Sequence, residues 1–141
     1  MMSGKMTPKG FARKIGKLRG TAPITASYER ALIARGIWDN HGVWYTSQKE
    51  HWIGWLSQYD GPGAYNRKTW KGRSAEFAYN HVRCPPMLLW LAEMAGVPKK
   101  NVLSARRSAL EAPRNLGSQC AALREAIPWA VVGSSLLGNF P

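Results

Sequence analysis

Acidic residues are scarce in this chain. Its 141 residues include eight Asp and Glu against twenty Lys and Arg, which gives a formal net charge of +12 at pH 7 and a pI of about 10.2. A metal-dependent nuclease needs several carboxylates that converge on its ions, and acids spread singly along the chain offer no such cluster. The sequence therefore predicts no metal site, and the excess of positive charge favours a polyanionic partner.

Catalytic sequence patterns are also missing. No HExxH, paired CxxC or GxSxG pattern occurs. Glu50 and His51 are neighbours on a predicted helix, so their side chains point about 100° apart and do not readily serve one site. Asp39 and His41 have the spacing of a metal-ligand pair or of an acid–base pair, and both alternatives stay open. We expect a protein without enzymatic activity or cofactor, whose histidines have structural roles.

Cysteines and long apolar runs are few. Cys84 and Cys120 are too isolated for a disulfide framework or a zinc site. No apolar run reaches the roughly 18–20 residues that span a bilayer, and the basic N-terminus is not followed by the apolar stretch of a secretory signal. The sequence predicts a soluble protein of a reducing compartment with no membrane partner.

The hydrophobic residues predict one folded, mainly α domain. Seven tryptophans and 45% hydrophobic residues argue against a disordered polycation, and the length suits a single core. Apolar stripes with caps and breakers predict five or six short helices. Residues 1–26 are expected to form a basic flexible arm, and 27–141 the helical domain.

Individual helices are predicted from their caps and stripes. They cover about 28–35 after Ser27, 48–59 after the capping box of Ser47 and Glu50, 75–82 after Ser74, the pair within 88–111, and a last one from Ser118 to Ile127. A short hairpin is an alternative over 37–45. The apolar tail 128–141 is expected to pack on the domain or on a second copy, which would make a homodimer. The residues predicted to be mostly buried are Trp52, Trp55, Phe77, Leu89, Leu91, Val102 and Leu123.

Residues 88–107 carry the pattern of two helices joined by a tight turn. Gly96 suits a backbone with positive φ at the turn, and Pro98 suits the first position of the next helix. Val102 and Ala105 then recur on the inner face, which is the spacing of a helix-turn-helix. A plain packing hairpin with a solvated basic face is the alternative. The candidate nucleic-acid-binding residues on the second helix are Lys99, Lys100, Asn101, Ser104, Arg106 and Arg107.

Two resemblances follow from these residues. Leu91-Ala92-Glu93-x-Ala95-Gly96-Val97 resembles the helix-turn-helix of bacterial repressors over about twenty residues. The runs WDNHGVWYTSQKEHWIGWLSQYDGPGAY, RSAEFAYNH and PPMLLWLAE are similar to small uncharacterised proteins of bacterial prophages and other mobile elements, over about 28–130. The wider resemblance implies a phage setting in a bacterial cytoplasm and no particular chemistry.

Two further segments concentrate basic residues. The arm carries cations without acids, and its candidate phosphate-binding residues are Lys9, Arg13 and Lys14. The loop 60–73 places Tyr65 and Trp70 among cations, a composition that suits the binding of single-stranded nucleic acid or phosphates. An equal alternative is that the loop has only a structural role, wrapping around the domain. Its candidate binding residues are Arg67, Lys68, Lys71 and Arg73.

These patterns favour a non-enzymatic phage or mobile-element protein that binds nucleic acid, with DNA ahead of RNA. The alternative is a phage-encoded anti-defence inhibitor, of the anti-CRISPR kind, that binds an acidic or nucleoprotein partner in the host. Nucleic-acid binding should weaken steeply with salt, which separates the two.

Overall fold

The computed structural model describes residues 22–36, 47–55 and 74–138. These ranges hold seven helices and no strand, so the predicted mainly α, single-domain fold is confirmed. In chain order they are α1 (Pro23–Ala34), α2 (47–55), α3 (Ser74–His81), α4 (Pro85–Ala95), α5 (Lys99–Glu111), α6 (Leu116–Ala126) and α7 (Trp129–Gly138). The predicted arm up to residue 21, the alternative hairpin at 37–45 and the whole loop 60–73 lie outside the described residues.

Helix α4 is the centre of the fold. It begins with two prolines in its first turn, and nine of its eleven residues are buried. Helices α1, α5, α6 and α7 all pack against it. Because partners surround it, α4 is apolar on every side apart from Glu93 in its last turn, unlike a surface helix with one apolar stripe.

Helix α1 starts earlier than the sequence predicts. The predicted start at Tyr28 with Ser27 as the cap is wrong, since the helix begins at Pro23 and Ser27 lies inside it. Ala22 at the N-cap position makes no side-chain cap. Glu93 of α4 supplies the cap instead, by accepting hydrogen bonds from the backbone N–H groups of Ile24 and Thr25 at 2.8 Å each. Residues 22–26, which the sequence assigned to the arm, therefore belong to the folded domain.

Helix α6 also begins before its predicted cap. Asn115 rather than Ser118 is the N-cap, and its Oδ1 accepts the Ser118 N–H at 2.8 Å. The predicted apolar face of α6 is confirmed, because Cys120, Leu123 and the following Ile127 are buried.

Arg124 of α6 stabilises the end of α3. Its Nε donates to the carbonyl of Tyr79 at 3.0 Å, and its Nη2 donates to the carbonyl of Val82. A cation beside the free carbonyls of a helix C-terminus is favourable for both hydrogen bonding and the helix dipole. The Tyr79 hydroxyl in turn donates to the Ile127 carbonyl, and burial raises the pKa of this phenol.

The tryptophans of α2 lie at the rim of the core. Ile53 is 2% exposed, whereas Trp52 and Trp55 are only partly buried, as is Phe77 of α3. Ring centroids lie 5.2 Å apart between Trp52 and Trp55 and 5.7 Å apart between Trp55 and Phe77. The prediction that these three rings are mostly buried is confirmed, although they are covered less deeply than Ile53. The same prediction is confirmed for Leu89, Leu91, Val102 and Leu123.

The tail folds as helix α7, which brings the number of helices above the predicted five or six. It packs against α3 and α4, and Val132 is fully buried. The expectation that the tail packs on the domain is thus confirmed, while packing on a second copy stays a prediction. Within the described ranges, every helix is too short or too polar to cross a bilayer.

Candidate nucleic-acid interface

The predicted tight turn between α4 and α5 is present. Gly96 has φ of 92°, a left-handed conformation that glycine adopts without the strain of a Cβ. The Gly96 N–H donates to the Glu93 carbonyl at 3.1 Å, and the Val97 N–H donates to the Ala92 carbonyl at 3.2 Å. This pair of bonds is a Schellman motif, and Val97 is buried beneath it.

Helix α5 begins one residue later than predicted. Pro98 is its N-cap rather than its first residue, and the Pro98 carbonyl accepts the N–H groups of Asn101 and Val102 at 2.9 and 3.1 Å. Proline still suits this place, because the carbonyl of the N-cap residue accepts the first bonds of the helix.

The inner face of α5 is anchored in the core. Val102, Ala105 and Ala109 are all fully buried, and the helix packs against α1, α4 and α6. Small alanines at two of these positions leave room for close approach of the neighbouring helices. The predicted inner face is confirmed.

The outer face of α5 is formed by Lys100, Ser104, Arg107 and Glu111. These residues follow one another at the helical spacing and are all exposed. Lys99 is also exposed in the first turn, whereas Asn101 is half-buried at the edge next to Ala105. Four predicted binding residues, Lys99, Lys100, Ser104 and Arg107, are therefore accessible on one exposed helix.

Arg106 lies apart from the other predicted binding residues. Its side chain is half-buried and its Nη1 donates to the hydroxyl of Ser27 on α1. Its Nε is buried without a hydrogen-bond partner. The helical spacing from Val102 to Arg106 indicates this inward position, since residues four apart share a face. Arg106 thus connects α5 to α1 and does not extend the outer face.

Three exposed cations near α5 were not singled out from the sequence. Arg30 and Arg35 lie on α1 and at its end, and Arg114 follows α5. The Nη1 of Arg114 donates to the Arg35 carbonyl at 3.3 Å, which joins the ends of the two helices. The sequence predicts the start of α1 wrongly and gives no indication that this helix packs against α5.

The remaining predicted binding residues lie outside the described residues. These are Lys9, Arg13, Lys14, Arg67, Lys68, Lys71 and Arg73, and Asp39 and His41 lie outside as well. Their roles stay predictions.

The described residues contain little that could carry chemistry. No group of three or more His, Cys, Asp or Glu side chains that could hold a metal ion occurs among them. Cys84 and Cys120 are free and buried, and burial raises the pKa of the Cys84 thiol to about 12 and that of Cys120 to about 11. Protonated, inaccessible thiols are poor nucleophiles and poor metal ligands.

Comparison of the chain with protein-family models, with curated proteins and with solved structures gives no match.

Proposed function

We propose that this protein binds nucleic acid, without enzymatic activity, through the outer face of α5. The observation that carries the proposal is the division of this helix into two sides. One side is held in the core by Val102, Ala105 and Ala109, and the other presents Lys100 and Arg107 to solvent. Because its inner face is fixed in the core, the helix presents the cations of its outer face to phosphates at defined positions.

The charge of the whole chain supports a polyanionic partner. Lys and Arg outnumber Asp and Glu by twenty to eight. On the outer face of α5 the sole acid is Glu111, in the last turn. Phosphate contacts by such cations release counterions from the nucleic acid, which favours binding at low salt. A setting in a phage or another mobile element agrees with a small basic protein of this kind.

Loss of single cations tests the proposal. The affinity of full-length protein for a short labelled duplex of mixed sequence is measured by fluorescence anisotropy over a series of salt concentrations. Lys100→Ala and Arg107→Ala should each weaken binding and reduce the slope of log affinity against log salt by about 0.9. Arg83→Ala is the matched control, because Arg83 is exposed but precedes α4, at the opposite end of that helix from the turn to α5.

Gain of charge gives a complementary test. Glu111→Lys should strengthen duplex binding, because it adds a cation to the outer face, while Glu125→Lys on the exposed side of α6 should change it much less. Equal thermal melting temperatures would show that the variants keep the fold. If Lys100→Ala and Arg107→Ala behave like Arg83→Ala, the outer face of α5 does not bind nucleic acid and the proposal fails.

A further inference from the structure

We infer that α1 is a second phosphate-binding helix beside α5, and that the two together form a surface for the backbone of a nucleic-acid duplex. This inference rests on the proposed function. It assigns binding roles to Arg30 and Arg35, and it selects a duplex over a single strand as the partner.

Helix α4 is not available for such contacts. In a helix-turn-helix the first helix crosses the nucleic-acid backbone while the second enters the groove. Here the first helix of the hairpin is α4, which packs against four other helices and has no exposed residue. A second helix that contacts the backbone must therefore come from elsewhere in the fold.

Helix α1 packs against α5 at the protein surface. Two hydrogen bonds define this arrangement, from Arg106 to the Ser27 hydroxyl and from Arg114 to the Arg35 carbonyl. Ser27 and Arg35 are separated by the same number of residues as Arg106 and Arg114, and in the same chain direction. The first contact joins α5 to the first half of α1, and the second joins the segment after α5 to the end of α1. The axes of packed helices lie roughly 8–10 Å apart.

Exposed cations flank this contact on both helices. Arg30 follows Ser27 by one turn of α1 and is exposed, while Arg107 adjoins Arg106 on α5 and is also exposed. Arg35 and Arg114 are both exposed where the two helices end. The cations of α1 thus continue the positive surface of α5 across the line where the helices meet.

Three acids lie near this surface: Glu111 is exposed in the last turn of α5, and the other two, Glu29 and Glu93, have partners within the protein. Glu29 of α1 pairs with Lys49 of α2 at 3.3 Å, and Glu93 caps the start of α1. The pair with Lys49 directs the Glu29 carboxylate towards α2. Positive charge therefore dominates the surface that α1 and α5 share.

The residue types of the two helices favour a duplex. Proteins that bind single strands stack bases on exposed aromatic rings beside cations. Helix α5 contains no aromatic residue, and the sole aromatic residue of α1, Tyr28, is fully buried, with its hydroxyl donating to the Gln119 Oε1 at 3.3 Å. A rigid surface with cations and without stacking rings suits the regularly spaced phosphates of a duplex.

The experiment uses the full-length protein and two labelled probes, a duplex of mixed sequence and one of its single strands. Arg30→Ala and Arg35→Ala are compared with Arg83→Ala and with the α5 variants Lys100→Ala and Arg107→Ala. The hydrogen bond from Arg114 uses the Arg35 backbone carbonyl, so Arg35→Ala leaves that contact in place. Thermal melting of each variant shows that it is folded.

Arg30→Ala and Arg35→Ala should each reduce the salt slope for the duplex by about 0.9 and its affinity about eightfold at roughly 0.1 M salt, regardless of base sequence. Arg83→Ala should change neither, and the single strand should bind more weakly than the duplex. If the α5 variants weaken binding and the α1 variants do not, this inference is overturned and the proposed function stands. If no variant of either helix has an effect, both are overturned. Tighter binding of the single strand than of the duplex would overturn the assignment of the partner.

Discussion

Glu93 accepts hydrogen bonds from both the backbone N–H and the side-chain hydroxyl of Thr25, each at 2.8 Å. Its other carboxylate oxygen accepts the N–H of Ile24. Glu93 lies in the last turn of α4, immediately before the turn at Gly96. The start of α1 is therefore attached to the hairpin, which fixes α1 relative to α5.

Glu93→Ala is expected to destabilise the protein by about 1–3 kcal/mol. The substitution removes a charged acceptor and leaves the first N–H groups of α1 without their partner. Glu93→Gln should cost less, because it keeps one acceptor oxygen. Urea unfolding measures the effect, with Glu125→Ala on the exposed side of α6 as control. Equal stability of Glu93→Ala and Glu125→Ala would refute the cap.

Gly96→Ala is expected to destabilise the protein by roughly 1–2 kcal/mol, because an alanine at φ of 92° is strained. Gly117→Ala is the matched control. Gly117 lies in the first turn of α6, and a Cβ there would meet its nearest atom, Asn115 Oδ1, at 3.5 Å, which is ordinary contact. Alanine is favoured over glycine in helices by up to about 1 kcal/mol, so Gly117→Ala should be neutral or stabilising. Similar losses in the two variants, measured by thermal melting, would contradict the turn geometry.

Both thiols should be unreactive in the native protein. Burial raises the pKa of Cys84 to about 12 and of Cys120 to about 11, so at pH 8 about one part in a thousand or less of either thiol is ionised. We expect a thiol reagent such as Ellman's reagent to titrate no thiol in the native state and two after unfolding by urea. Fast reaction of either cysteine in the folded protein would contradict its burial.

These raised pKa values also predict a pH dependence of stability. In the unfolded chain the thiols ionise near pH 8.5, whereas the native state holds their protons to higher pH. The unfolded state therefore binds fewer protons above about pH 8.5, and the free energy of unfolding should fall as the pH rises towards 11–12. Urea unfolding of a Cys84→Ser, Cys120→Ser variant should show a weaker decline over this range than the unmodified protein. An identical decline would assign it to other groups.

Trp90→Ala should cost about 3–5 kcal/mol, because this ring is 1% exposed in the central helix. Trp55→Ala should cost roughly half as much, because Trp55 is only partly buried at the rim of the core. Urea unfolding of the two variants gives the comparison. A loss for Trp55→Ala as large as that for Trp90→Ala would show that the rim contributes as much as the centre.

The sequence predicts those parts of the fold that depend on nearby residues. Gly96 and the apolar spacing of Val102 and Ala105 locate the hairpin, since a tight turn and a helical face are local features. The start of α1 is mispredicted because its cap comes from Glu93, far along the chain. The end of α3 likewise depends on Arg124, whose role is visible only once the helices pack.

In the candidate site, too, local spacing predicts some features and helix packing determines the others. Exposure of Lys100, Ser104 and Arg107 follows from helical spacing alone. The spacing also indicates that Arg106 points inward, but its partner Ser27 belongs to a helix whose position no local pattern reveals. For that reason the sequence did not suggest Arg30 and Arg35 as neighbours of α5. The sequence also indicates that Trp52 and Trp55 face inward but not that they lie at the rim, because an apolar stripe shows which side of a helix is covered and not how deeply.

An NMR titration of the isotope-labelled full-length protein with a duplex tests the central claim most directly. It follows backbone amide shifts and arginine Nε–H resonances to saturation at low salt. Our account predicts the largest changes at Lys99, Lys100, Ser104 and Arg107, with amides in the second half of α6 and in α7 little altered. Saturation by the duplex with the α5 resonances unmoved would contradict the claim that the outer face of α5 binds nucleic acid.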